Sequence, residues 1–286
     1  MNERVLITGS TGFIGSHAAR AFEGAGCSIV PFAGDVTGVE NWQNNLKGQI
    51  DLIIHLAGTR TESDRDYEIN VGGVRSLAEA LQKAAKKPVA LIFASTQAVY
   101  FGLTPPFTEE MSVSPRIKYA QSKLEAERVV SKLGGEHNMR VVILRLSTVL
   151  GEGVMEKSRM SGPLAIWTRD AVAGKPIEVF QDGKQTRDYI HVDDVAAAML
   201  LAAKNRDMKG IFNVGGEKEI GLLTFAEWVK KAVGSKSEII IRGGEASMAD
   251  PRALCSDTTK IREFGWKPLK SPREAIRQYA QIHCKP

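Results

Sequence analysis

The sequence predicts an α/β protein: a doubly wound parallel sheet followed by a smaller, mixed α/β C-terminal lobe. Three observations carry this. Strand-like and helix-like segments alternate through residues 1–150, the pattern of βαβ units. The strands are short and apolar, such as Asp51–Ala57 and Val89–Ala94, as expected where helices cover both faces of a sheet. The first strand–helix junction is rich in glycine, and the alternation fades after Gly151.

Taken in order, Arg4–Thr8 is a β-branched strand, and Ile14–Glu23 has helical spacing. Ser28–Phe32 is a second strand, and Gly34-Asp35-Val36 reads as the start of the next. Asp51–Ala57 is a strand, Val71–Lys86 an amphipathic helix and Val89–Ala94 a further strand. Pro115–Leu133 reads as a long helix, with Ser114 as N-cap, Pro115 at its first position and Gly134 just past its end. Val141–Leu146 closes the first domain at about residue 150. Beyond it, Glu152–Gly162 reads as a mobile polar loop and Pro163–Ala173 as a helix; Ile177–Phe180 and Asp188–Val192 read as short strands. The helix Asp193–Lys204 is expected to pack back on the first domain as residues 193–205, leaving 151–192 and 206–286 as the lobe.

With 286 residues, 43% hydrophobic and 25% charged, the chain buries a core without disulfides or metal staples. The net charge of +5 is spread without a dense Lys/Arg run, which argues against nucleic acid and is compatible with a small anionic substrate. Cys27, Cys255 and Cys284 are odd in number and far apart, arguing against disulfides and a zinc site and for a reduced, cytoplasmic setting. The longest apolar stretch, Val195–Ala203, is about half of the ~18 residues a membrane span needs. The first strand begins so early that a signal peptide has no room.

The segment Gly9-Ser10-Thr11-Gly12-Phe13-Ile14-Gly15 follows a strand and opens a helix. Glycines there allow a tight turn and close backbone approach, and the helix N-terminus offers N–H groups to a pyrophosphate. An acid at the end of the second strand would select the ribose of NAD. That slot holds Ala33, with Asp35 two residues on and no arginine for a 2′-phosphate, so the cofactor is NAD or NADP.

Tyr119 and Lys123 lie one helical turn apart on one face. A tyrosine becomes a useful acid/base when a nearby cation favours its phenolate, and Y-x-x-x-K supplies that cation. Thr96, with Ser95, follows the strand ending Phe93-Ala94, where cofactor and substrate meet in this kind of sheet.

Together VLITGSTGFIGSH, IDLIIHLAG, NVGGV, FASTQAVY, YAQSK, Leu144-Arg145, DGKQTRDYIHVDDVA, FNVGG and DTTK…FGWKP run from residue 5 to about 270. This ordered set resembles the extended branch of the short-chain dehydrogenase/reductase superfamily, the NAD-dependent epimerase/dehydratase family. The resemblance implies a Rossmann domain, a C-terminal substrate-binding lobe and a nucleotide-sugar substrate. It implies Tyr119 as acid/base, Lys123 as the residue that orients the nicotinamide ribose and lowers the tyrosine pKa, and Thr96 as a hydrogen bond to the reacting oxygen. Gly9, Gly12 and Gly15 would hold the pyrophosphate, and Thr11, Phe13 and Ile14 would also bind the cofactor. Asp35 and Val36 would flank adenine, and Leu56, Ala57, Gly58, Arg60 and Asn70 would line the cofactor. Arg187 matches an arginine on the substrate diphosphate, and Phe180 lies near the base. The helices at 71–86 and 115–133 match those that form a dimer in relatives, which implies a homodimer.

Two positions depart from that pattern. Thr148 stands where an asparagine usually contacts the diphosphate, and Ser247 where a second arginine does, with Arg242 or Arg252 as replacements. These departures leave room for a reductase of a non-nucleotide carbonyl. A non-catalytic, cofactor-sensing protein is a third possibility, disfavoured because both Tyr119 and Lys123 are kept. His191-Val192-Asp193-Asp194 reads as the charged start of a helix rather than a metal site. His55 reads as a structural histidine inside its strand, and Glu109-Glu110 as a solvated loop pair.

Overall fold

The computed structural model describes residues 2–84, 88–154, 162–244 and 251–284. Most of the loop expected at Glu152–Gly162 lies outside these residues, as do Ser247 and the end of the helix expected to reach Lys86.

The alternation builds one parallel sheet. In chain order its first half runs β1 (Arg4–Thr8), α1 (Phe13–Gly24), β2 (Ser28–Pro31), α2 (Val39–Asn45), β3 (Leu52–His55), α3 (Asp64–Lys83), β4 (Ala90–Thr96), α4 (Lys118–His137) and β5 (Arg140–Leu146). The second half runs β6 (Thr148–Leu150), α5 (Gly162–Val172), β7 (Ile177–Val179), β8 (Thr186–His191), α6 (Val192–Lys204), β9 (Gly210–Val214), β10 (Glu219–Gly221), α7 (Leu222–Val233), β11 (Ile239–Ile241), α8 (Thr259–Arg262) and α9 (Pro272–His283). The six-stranded sheet has the order β2-β1-β3-β4-β5-β9, every neighbouring pair parallel. Doubly wound dinucleotide folds commonly place two strands outside β1; among the described residues β2 alone occupies that side here.

Both faces of the sheet are covered, as its apolar strands require. Ala18 and Phe22 of α1 share one core with Val195, Met199 and Ala202 of α6. Trp42 of α2, Leu77 and Leu81 of α3, and Val130 and Leu133 of α4 fill the other. The lobe has its own core, in which Trp167, Val179, Tyr189, Phe225 and Tyr279 meet. It carries two small sheets, β10-β8-β6 and β11-β7. No helix among the described residues is long and apolar enough to cross a membrane.

Several expectations are corrected. Gly34-Asp35-Val36 opens no strand. Gly34 has φ +104°, and Asp35 Oδ1 accepts Thr37 N at 2.9 Å and Thr37 Oγ1 at 2.8 Å, an Asx turn that leads into α2. Helix α3 starts at Asp64, seven residues before Val71. Helix α4 starts at Lys118 because Ile117 is extended, and it runs through Gly134 to end where Asn138 turns left-handed (φ 49°). Residues 210–214, expected in the lobe, supply the last strand of the large sheet.

One buried carboxylate joins lobe to sheet. Asp188 of β8 accepts Ser147 Oγ at 2.6 Å, Gly216 N at 2.7 Å and Ser256 N at 3.1 Å. Burial pushes its carboxyl up to about 6, Glu217 adds to the rise, and the three hydrogen bonds oppose it. A carboxyl with a folded pKa above its unfolded one stabilises the fold in full below about pH 4, and that contribution is lost as pH rises through about 6. Asp188→Asn removes this titration. Relative to that variant, the native chain is expected to lose up to about 3 kcal/mol between about pH 4 and pH 7, read from urea midpoints. Parallel pH profiles would overturn the assignment.

Candidate active site

Clefts open at both ends of the large sheet. A wide one of about 750 Å³ is lined by Glu3, Val89, Arg140 and Gly210, at the N-terminal ends of the strands. The smaller, about 210 Å³, lies at their C-terminal ends beside the glycine turn, where ligands bind in open α/β sheets. It brings together Phe13, Ile14, Arg60, Thr96, Tyr119 and Thr148.

The floor of the cofactor side is set by glycine. Gly9 has φ +67°, and Gly12 N donates to Gly9 O at 3.0 Å. A Cβ on Gly15 would overlap the Gly9 carbonyl oxygen, so the helix meets the turn only if residue 15 lacks one. Thr11 and Gly12 are exposed at the start of α1, which leaves the N–H groups of this end open to a pyrophosphate. The cradle fits a dinucleotide. Beside it, Thr8 Oγ1 accepts Leu56 N and Ala57 N, both at 3.0 Å, and so pins the end of β3. Val36 is buried behind Asp35, its carbonyl accepting Trp42 Nε1 at 2.7 Å. Ala33, expected at the ribose, is clipped at both its N–H and C=O by Asn45.

Across the cleft, Tyr119 lies in the first turn of α4, where backbone N–H groups have no partner within the helix. Glu62 Oε2 accepts the Tyr119 N–H at 3.3 Å. Burial pushes the phenol above its ordinary value, while the charge of Arg60 and a hydrogen bond with Thr96 pull it down. Thr96 Oγ1 also accepts Ala98 N at 3.1 Å, which fixes its rotamer. Lys123 is buried with its Nζ 4.2 Å from the Phe93 ring centre. Burial lowers its pKa to about 8, and the charge of Glu127, one turn further along α4, partly restores it.

Glu127 anchors that helix face. Its carboxylate takes Arg145 Nη2 at 2.7 Å and Nε at 3.0 Å, both side chains being 3% exposed, and also accepts the Ser95 hydroxyl. Arg145 Nη1 reaches Tyr100 OH at 2.8 Å, which donates to Asn213 Oδ1 at 2.8 Å. Sequence reading missed Glu127, although its i+4 spacing from Lys123 was a usable signal.

The remaining expected residues are scattered. Asn70 is buried with its amide committed to Thr59 N, Thr59 O and Ser122 Oγ, all at 2.9 Å. A Cβ on Gly58 would meet Asn70 Oδ1 at 2.8 Å, so the turn after β3 packs tightly on that amide. Arg187 is 2% exposed, with Nη1 on Thr186 O at 2.6 Å and Pro251 O at 2.8 Å, and does not line the small cleft. Arg252 pairs with Asp182 at 2.6 Å on the surface, Arg242 with Glu178 at 2.5 Å, and Phe180 is exposed. His55 is structural: Nδ1 meets Thr8 Oγ1 at 2.9 Å, and burial drives its pKa to about 3. Glu109 is half-buried and accepts Asn213 N at 2.7 Å, so it braces β9 rather than facing solvent in a loop. At α6 it is the His191 ring, not an acid, that caps the helix by accepting Asp193 N at 3.0 Å.

A glycine cradle beside a Tyr–Lys helix and a threonine at a strand end define an enzyme of the dinucleotide-dependent, short-chain dehydrogenase type. Residues 5–215 match the NAD dependent epimerase/dehydratase family, and the chain belongs to that family. It is 28% identical to a UDP-N-acetyl-alpha-D-glucosaminuronate decarboxylase of Bacillus cytotoxicus, over 84% of this chain and 83% of that protein. It is 27% identical to a UDP-glucose 4-epimerase of Mycolicibacterium smegmatis, over 98% of both chains. The crystal structure of Thermus thermophilus UDP-glucose 4-epimerase complexed with NAD superposes with a TM-score of 0.87 at 25% identity, covering 97% of this chain and 98% of that one.

Substitutions at Gly15 and at Glu127, each with a control, test this architecture. Gly15→Ala is expected to cost about 1–3 kcal/mol in denaturant unfolding, whereas Gly24→Ala, with open space around its Cβ, costs nothing measurable. Glu127→Ala leaves Arg145 buried without its partner and is expected to cost about 3–5 kcal/mol, most of it recovered when Arg145→Met is added. Equal unfolding midpoints for Glu127→Ala and the native chain would refute the role given to the pair.

Proposed function

We propose that this enzyme moves hydride at a sugar carbon of a nucleotide-activated sugar, as an epimerase or as a 4-keto-sugar reductase or dehydrogenase, with NAD or NADP. The observation that carries this reading is the meeting of Tyr119, Thr96 and Arg60 with Phe13 and Ile14 of the glycine turn in one cleft at the strand ends. Tyr119 takes the proton of the substrate hydroxyl, or returns it, and Thr96 hydrogen-bonds the same oxygen. Lys123, held between Phe93 and Glu127, holds the nicotinamide ribose. The nicotinamide ring, when bound, supplies the acceptor and donor of hydride. Gly9, Gly12 and Gly15 bind its pyrophosphate, and Asp35 and Val36 border the adenine. Thr148 lines the cleft on the substrate side. The UDP-sugar enzymes among the relatives support the substrate class, and a cytoplasmic homodimer fits it.

A reductase of a non-nucleotide carbonyl is the second reading. It is favoured by Arg187, which donates to two backbone carbonyls and does not line the cleft.

A thermal-shift panel of UDP-, GDP-, dTDP- and CDP-sugars with each cofactor separates the two. At least one nucleotide sugar is expected to raise the melting temperature, and Tyr119→Phe to lower turnover of that sugar about 10²–10⁴-fold. No stabilisation by any nucleotide sugar, with ketone reduction indifferent to added UDP, would favour the second reading and overturn the first.

A further inference from the structure

The cation that faces Tyr119 comes from the loop after β3. The Arg60 guanidinium carbon lies 5.0 Å from the centre of the Tyr119 ring, within cation–π range. Its Nε and Nη2 are buried without a hydrogen-bond partner. The Glu62 carboxylate is 3.6 Å from Nε, close enough for attraction and too far for a hydrogen bond. The guanidinium thus makes no hydrogen bond through these two nitrogens, and it directs its field at the ring.

The loop is built to keep it there. Asp66 of α3, fully buried, accepts Thr61 N at 2.6 Å and Glu62 N at 2.8 Å. Those bonds hold Glu62 at φ +56°, a left-handed conformation that an L side chain rarely adopts. In that conformation the Glu62 side chain reaches the first turn of α4 and takes the N–H of Tyr119 itself. One strained residue therefore ties the Arg60 loop to the reacting tyrosine. Lys123, the cation on the tyrosine's own helix, rests on Phe93 with Glu127 as its charged neighbour.

We infer that Arg60 is a positioning residue for catalysis: it stabilises the phenolate of Tyr119 through the ring face, and Glu62 sets its strength by opposing that charge and holding the loop. The inference rests on Tyr119 being the acid/base. Of the charges acting on Tyr119, Arg60 favours the phenolate and Asp66 and Glu62 oppose it, with the Thr96 hydrogen bond as the remaining favourable group.

The test uses two variants with opposite expectations. Arg60→Met removes the cation, so the acid limb of the pH–rate profile moves to higher pH. Turnover below the limb falls about tenfold and converges with the native rate at high pH, with Arg60→Lys restoring most of it. Glu62→Gln keeps an acceptor for Tyr119 N–H but removes the opposing charge, so its limb moves to lower pH. Rates are taken at cofactor concentrations far above each variant's own Kd. Tyrosinate absorbance, read as the difference between each protein and its Tyr119→Phe counterpart, reports the same shifts without any substrate. Shifted titrations with no turnover of any nucleotide sugar would uphold the inference while the proposed substrate fails. A Tyr119 titration unmoved by Arg60→Met, or a rate lowered equally at every pH, would overturn it, as would a Glu62→Gln shift in the same direction as Arg60→Met.

Discussion

The buried pair of Glu127 and Arg145 is the constraint on which the site depends. Two ions removed from water cost several kcal/mol each unless their geometry is tightly matched. Here the match is bidentate, and the spare donors and acceptors are taken by Ser95 and Tyr100. Four elements meet there: β4, the short turn after it, β5 and α4. The helix cannot slide along the sheet without uncovering a charge. Lys123 and Tyr119 lie four and eight residues before Glu127, so at about 1.5 Å per residue they project about 6 and 12 Å along a fixed rail. Their placement beside the end of β4 is a consequence of a contact made in the interior.

The rest of the molecule attaches to this frame through other buried polar groups. Asn213 links the frame to β9 and, through its amide, to Phe107 O and Asp257 O. Asp188 fastens the lobe at Ser147, one residue past the end of β5. His17 of α1 joins Asp193 of α6 at 2.6 Å and the Glu152 carbonyl at 3.1 Å, so the glycine turn is fixed to the segment following β6. Each link is polar and satisfied, which gives direction where apolar packing alone tolerates rearrangement.

The fold was legible because periodicity and glycine report directly on backbone geometry. The strands β1, β3, β4 and β5 and the glycine turn were readable for that reason. What escaped was set by contacts distant in sequence. Nothing local distinguishes Gly134 from a helix end, yet the helix continues to Asn138 because its face is packed on β5. The turn at 34–36 replaced an expected strand because Asn41 and Asn45, on a helix not foreseen, hold its backbone. Tyr119 and Lys123 could be named from spacing, whereas Glu62 could not: its role depends on a left-handed φ imposed by Asp66. The buried state of Arg187 likewise follows from Pro251, which is distant in sequence.

The narrowness of the sheet beyond β1 has a consequence for the chain in solution. With no strand outside it among the described residues, β2 presents an unpaired row of backbone groups, the kind of template on which other chains add by edge-to-edge pairing. The segment is four residues long and closes with Pro31, which has no N–H to offer. The next residues turn away at once, their polar atoms taken by two asparagines. The same shortening leaves an edge too brief and too poor in donors to seed aggregation.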